Sequence, residues 1–125
     1  MQPTEIEQQA LVTVVHLGPE YGTLDVDAIE AMEGDLLRLV EEIDPPHLVL
    51  DCWNTEYFGS LFISVLVHCY RRIRERGGRF VLCCLQPLIR QELEAVNLHV
   101  LWPIYDSIEE AIRSITETKM NPRRT

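Results

Sequence analysis

Ser60 heads the most apolar run of the chain, Leu61 to Tyr70, in the context Phe58-Gly59-Ser60-Leu61-Phe62. A serine at the start of a long helix satisfies backbone N–H groups and holds its oxygen at the positive end of the macrodipole. Phosphorylated, it would bring roughly −1.5 to −2 charges to a backbone already polarised to receive them. The pattern is also met by a serine that only caps a helix, and both readings stand. A third use, as an acyl-transfer nucleophile, requires a G-x-S-x-G elbow and a paired base. Here the second glycine is absent. His16, His47, His68 and His99 fall one to an element, with no triad or metal-ligand spacing, and His68 lies two turns along the same helix, facing away. Each is expected to be solvated or structurally satisfied, so no catalytic residue is assigned and the protein is expected not to be an enzyme.

Cys52, Cys69, Cys83 and Cys84 lie in apolar stretches with no C-x-x-C pair and no secretory signal, which predicts reduced, buried thiols in a cytoplasmic protein with no metal and no cofactor. Arg71, Arg72, Arg74, Arg76 and Arg79 gather at one helix end, where cations complement the carbonyl dipoles, and read as a solvated face. Gly77-Gly78 suits the left-handed backbone past that helix end, and no phosphate-binding glycine pattern surrounds it.

The elements that must position Ser60 follow from periodicity. Ala10 to Leu17 reads as a strand ending at Gly18-Pro19, with Tyr21-Gly22-Thr23-Leu24 as a short hairpin partner. From Asp25 to about Ile43, Ile29, Met32, Leu36, Leu37, Leu39, Val40 and Ile43 recur at helical spacing before Pro45-Pro46. His47 to Cys52 is a buried strand, residues 53 to 59 a loop, and Ser60 to about Arg76 a second helix with Phe62, Val65, Leu66, Cys69 and Ile73 inward. Ile63 and Val67 fall beside that stripe and fit either a neighbouring helix or a docked partner. Arg79 to Leu85 is a strand, Pro87 to about Val96 a helix, and Val100 to Trp102 a last short strand. Asp106-Ser107 with Glu109 forms a capping box for a terminal helix.

Strands alternating with helices require crossovers, and crossovers make neighbouring strands parallel. The predicted fold is α/β: one domain over residues 10–117, with a mixed, mostly parallel sheet and about four helices. Loose tails are expected at 1–9 and 118–125. In such sheets function collects at strand ends, here Asp51 to Ser60 and Leu85-Gln86-Pro87.

Composition narrows the partners. Eleven Lys+Arg against 20 Asp+Glu give a net charge of −9 over 125 residues, which disfavours nucleic acid and anionic membranes. Residues 1 to 50 hold 11 acids and one base, net −10, leaving 9 acids and 10 bases, net +1, for the remainder. No run reaches membrane-spanning length.

Taken in order, Gly22-Thr23-Leu24-Asp25, His47-Leu48-Val49-Leu50-Asp51, Glu56-Tyr57-Phe58-Gly59-Ser60, Arg76-Gly77-Gly78-Arg79 and Trp102-Pro103-Ile104-Tyr105-Asp106-Ser107-Ile108-Glu109-Glu110-Ala111 resemble the STAS domain. The resemblance covers about residues 10 to 115 and implies a likeness to bacterial anti-sigma factor antagonists, which do no chemistry themselves. It implies that Ser60 matches the residue phosphorylated by a partner anti-sigma serine kinase and dephosphorylated by a PP2C-type phosphatase. It also implies a binding surface of Asp25, Asn54, Thr55, Gly59, Leu61, Ile63, Ser64 and Val67. The family's usual Asp-Ser-Ser-Gly is here Gly59-Ser60-Leu61-Phe62, so an acid is lost and two small residues become large. Those replacements motivate the alternative of a non-phosphorylated scaffold or accessory subunit of a transporter or signalling complex. Oligomeric state is left open, a weak dimer included.

Overall fold

The computed structural model describes residues 4–9, 11–18, 26–55 and 59–120. Five strands and four helices follow in the order β1 Thr4–Gln9, β2 Val12–Leu17, α1 Val26–Glu42, β3 Leu48–Asp51, α2 Ser60–Glu75, β4 Phe80–Cys83, α3 Pro87–Ala95, β5 Ile104–Tyr105 and α4 Ile108–Met120. The sheet order is β1-β2-β3-β4-β5, with β1 antiparallel to β2 and every later pair parallel. The α/β class with a mixed, mostly parallel sheet is therefore the observed one.

Each parallel connection crosses one strand over in the same direction. Right-handed crossovers of that kind put their helices on a single face. On it, Val15, Leu17, Leu48, Leu50, Phe80 and Leu82 meet Met32, Leu36 and Val40 of α1, Phe62, Leu66, Cys69 and Ile73 of α2, and Ile89 and Leu93 of α3. The five inward residues of α2 are the five that the 3.6-residue period selects. Val12, Val14, Val49, Val81 and Cys83 point the other way, onto Ala111 and Ile115 of α4. Burial on both faces explains why β3 and β4 are short unbroken apolar runs.

Four expectations are corrected. Residues 1–9 do not form a tail throughout, because Thr4 to Gln9 pair with β2 in full register. An edge strand needs only backbone bonds and one covered side, so polar residues suffice. The predicted partner at Tyr21 to Leu24 lies outside the described residues. The expected strand at Val100 to Trp102 is instead a 3-10 turn over Leu98–Val100, with the Trp102 N–H donating back to the Leu98 carbonyl at 3.1 Å. The ladder to β4 begins one residue later, at the Pro103 carbonyl, which accepts from Leu82 at 3.0 Å. Helix α4 runs to Met120, past the predicted domain end at 117. Its cap is Ser107, whose Oγ accepts from the Glu110 N–H at 3.1 Å, and Glu110 rather than Glu109 returns a bond, to the Asp106 N–H at 3.3 Å.

The paired glycines do different work. Gly77 takes the left-handed φ of 83° that ends α2. At Gly78 an added Cβ would stand 1.7 Å from the Pro46 carbonyl oxygen, so the chain passes there because nothing projects. Two of the five arginines at this end tie α2 to α1 rather than only facing solvent. Arg76 donates to the Val40 and Ile43 carbonyls at 2.7 Å each, closing the end of α1, and Arg72 pairs with Glu41.

Candidate functional site

Ser60 stands on the rim formed by the C-terminal ends of the parallel strands, where helix N-termini converge. The route from β3 is tied down in steps. The Cys52 N–H donates to the Cys83 carbonyl at 3.0 Å, the Asp51 carboxylate accepts from the Trp53 N–H at 3.1 Å, and the Thr55 N–H returns to the Cys52 carbonyl at 3.0 Å. That is an aspartate-initiated turn. Gln86, from the β4–α3 loop, donates to the Trp53 carbonyl at 2.6 Å, so the two strand-end segments singled out from the sequence meet on one rim.

The helix-capping expectation for Ser60 is corrected. Gly59 is the cap residue, extended at φ −86° and ψ 175°, its carbonyl accepting from the Ile63 N–H at 3.0 Å, and no side chain caps the helix. Ser60 is the first helical residue. It is exposed, and among the described residues its hydroxyl has no hydrogen-bond partner. No acidic residue lies in the first turn of α2, so the helix's positive end is unneutralised by its own sequence. No histidine or carboxylate among the described residues is bonded to Ser60, leaving it without the base a nucleophile requires.

The predicted surface divides. Asn54, Leu61 and Ser64 are exposed, and Gly59 is half-buried. Ile63 and Val67 are half-buried and pack against the core that α1 and α2 share. Thr55 is a correction: it is fully buried, with its Oγ1 unpartnered among the described residues, so it cannot offer its side chain to a partner as folded. Asp25 lies outside the described residues. Sequence reasoning passed over Trp53, 61% exposed, and Leu88 in the first turn of α3, 65% exposed, which with Leu61 at 47% leave three large apolar side chains on the same rim. A tryptophan placed in a loop rather than in a periodic stripe was the available signal.

Electrostatics at the rim centre on His16. Its Nδ1 lies 2.7 Å from Asp51 Oδ2 and its Nε2 lies 2.9 Å from Glu7 Oε1, joining β1, β2 and β3. Burial disfavours the imidazolium, but its hydrogen bonds to the accepting carboxylates of Asp51 and Glu7 outweigh it and hold the His16 pKa above its ordinary value. His68 pairs with Glu33 of α1 at 2.8 Å. The buried-thiol expectation holds for Cys52, Cys69 and Cys83, while Cys84 is corrected to half-buried. Desolvation raises all four thiols, Cys69 to about 12, so they stay protonated in neutral solution. A cavity of about 290 Å³ between Tyr70, Arg74, Arg79, Phe80, Leu101 and Pro103 lies at the opposite end of α2 from Ser60. No helix among the described residues is long and apolar enough to cross a membrane.

A family model for the STAS domain matches residues 4–111. The anti-sigma F factor antagonist of Paenibacillus polymyxa is 24% identical over 111 residues, spanning 89% of this chain and 92% of the relative. A solved anti-sigma-factor antagonist (STAS) domain protein from Planctomyces limnophilus superposes with a TM-score of 0.81 at 27% identity, covering 90% of this chain and 97% of that one. The phosphorylated form of the Bacillus cell fate determinant SpoIIAA superposes at 0.66 with 18% identity, covering 90% and 98%, and shares the fold.

Proposed function

The chain belongs to the STAS domain family, and on that premise we propose that it is an anti-sigma factor antagonist whose docking on an anti-sigma serine kinase is switched by phosphorylation of Ser60. The observation that carries this reading is an exposed, unpartnered hydroxyl at the first position of α2, beside exposed Trp53, Leu61 and Leu88. Unmodified, the rim offers apolar side chains around a small neutral group, and a partner covers them at little desolvation cost. Phosphorylated, the same position carries a charge of roughly −1.5 to −2 that the helix N-terminus and water stabilise in the free protein. A partner must then bury that charge or lose contact, and burying an unpaired anion costs several kcal/mol. A PP2C-type phosphatase resets the switch. The protein acts by binding, in cytoplasm, and is itself not an enzyme.

The loss of an acid before Ser60 favours the modified state, because no carboxylate at position 59 repels the phosphate. Leu61 and Phe62 differ in consequence: Phe62 is buried in the core, so only Leu61 stands in a kinase's path.

The test is intact-mass analysis after incubation with the anti-sigma serine kinase of the same organism and Mg-ATP. One added phosphate on the wild type and none on Ser60→Ala is expected, with the phosphorylated form failing to hold the kinase in a pull-down. An unmodified wild type that still binds would replace the switch with a constitutive scaffold.

A further inference from the structure

Consecutive residues of a strand face opposite sides of the sheet, so Cys83 and Cys84 should be separated by β4. They are not. Cys84 takes a φ of 63°, a left-handed conformation that costs a non-glycine residue about 1–2 kcal/mol. The turn ends β4 and brings the second thiol back toward the first. Cys83 is the register partner of Asp51 on β3, and the two residues share a face. As a result a carboxylate oxygen of Asp51 and the sulfurs of Cys83 and Cys84 all lie within 4.8 Å of one another. Strained backbone of this kind persists where the surroundings hold it, and it is concentrated at functional positions.

We propose that Asp51, Cys83 and Cys84 form a binding site for one thiophilic divalent cation of the Zn²⁺ class. Two sulfurs and one carboxylate suit Zn²⁺, Co²⁺ or Cd²⁺ and are a poor set for Mg²⁺ or Ca²⁺, which take oxygen ligands. Zn–S bonds near 2.3 Å and Zn–O bonds near 2.1 Å place tetrahedral ligands roughly 3.5–3.8 Å apart, so the cluster closes on an ion with shifts of about 1 Å. Asp51 and Cys84 are half-buried, which leaves an approach from solvent and a fourth position for water. The carboxylate is already oriented, its Oδ2 bonded to His16 Nδ1 and its Oδ1 to the Trp53 N–H, the kind of support that ligating carboxylates have. On binding, both S–H bonds break heterolytically, the two protons pass to solvent, and two sulfur–metal bonds and one oxygen–metal bond form with no change of oxidation state. The site is independent of the Ser60 switch.

The test is titration of the full-length, reduced, EDTA-stripped protein with Co²⁺. Saturation at one equivalent is expected, with a near-ultraviolet thiolate charge-transfer band and tetrahedral visible bands that Zn²⁺ bleaches. Cys84→Ser and Asp51→Asn should each weaken Co²⁺ binding by at least about tenfold, and Cys69→Ser, in α2, should leave it unchanged. Absence of the charge-transfer band in the wild type overturns the proposal, as does undiminished binding in Cys84→Ser and Asp51→Asn, or equal loss in Cys69→Ser. Should Cys84→Ser fail to fold, Zn²⁺ protection of Cys84 from alkylation in the wild type, lost in Asp51→Asn, decides in its place; no protection overturns the site.

Discussion

Ser60→Asp separates an effect on the fold from an effect on the interface. The first turn of α2 carries no acid and no side-chain cap, so its N-terminal dipole, equivalent to about half an elementary charge, is uncompensated from within the helix. A carboxylate about 4 Å from that half charge, in a nearly aqueous dielectric of about 80, gains roughly 0.5 kcal/mol. Because Ser60 is exposed, the interaction sits at the low end of helix-dipole effects. Ser60→Asn, similar in size and neutral, is the reference, and the difference between the two variants isolates the charge. Urea denaturation at low ionic strength should find Asp more stable than Asn by that amount, or roughly 2 °C in thermal melting for a domain of this size. At about 1 M salt, where the screening length is about 3 Å, the advantage should vanish. In a pull-down with the partner kinase, the same Asp variant should lose binding while Asn retains it. An Asp variant less stable than Asn at low salt, or one whose advantage survives high salt, refutes the electrostatic account of the position.

Gly77→Ala should cost about 1 kcal/mol, since its Cβ meets open space but its φ is left-handed, whereas Gly78→Ala should cost about 3 kcal/mol or more, because a backbone oxygen must move; paired denaturation curves measure both. Arg76→Met should destabilise by roughly 2 kcal/mol through the loss of two charge-assisted bonds to the end of α1, and amide exchange should rise first at the last turn of α1. In metal-free protein, NMR titration should place the His16 imidazole above its ordinary 6.5, and Glu7→Gln should lower it. A raised histidine contributes stability that is complete below its unfolded pKa and fades as pH rises through the folded one, so wild type should exceed His16→Gln by more near pH 6 than near pH 9. An equal margin at both pH values contradicts the pairing.

What the sequence disclosed depended on whether a local period carried it. The stripe of α2 and the unbroken apolar runs of β3 and β4 are set by burial, and burial leaves a spacing that can be read. Val100 to Trp102 has the same apolar look without a period, and only Trp102 of the three is buried; the run bonds to itself because Asn97, at φ 63°, reverses the chain before it. Thr4 to Gln9 looked structureless because an edge strand is specified by its partner, not by its own side chains. At the site, Ser60 was visible as the head of a helix, but whether it or Gly59 caps that helix depends on one ψ angle. The meeting of His16 with Asp51 spans 35 residues and needs the parallel register of β2 and β3. The approach of Cys84 to Cys83 depends on one left-handed residue that strand alternation argues against.

The strands stand in the sheet in the order in which they are synthesised. Doubly wound folds hold their nucleotides in the crevice that opens where that order reverses and helices part to opposite sides. Here the order never reverses among the described strands, and α1, α2 and α3 share one side, so the strand order creates no crevice of that kind. Under the proposed switch, the rim is met by another protein edge-on to the sheet, and a single phosphate on Ser60 would be enough to hold that protein away.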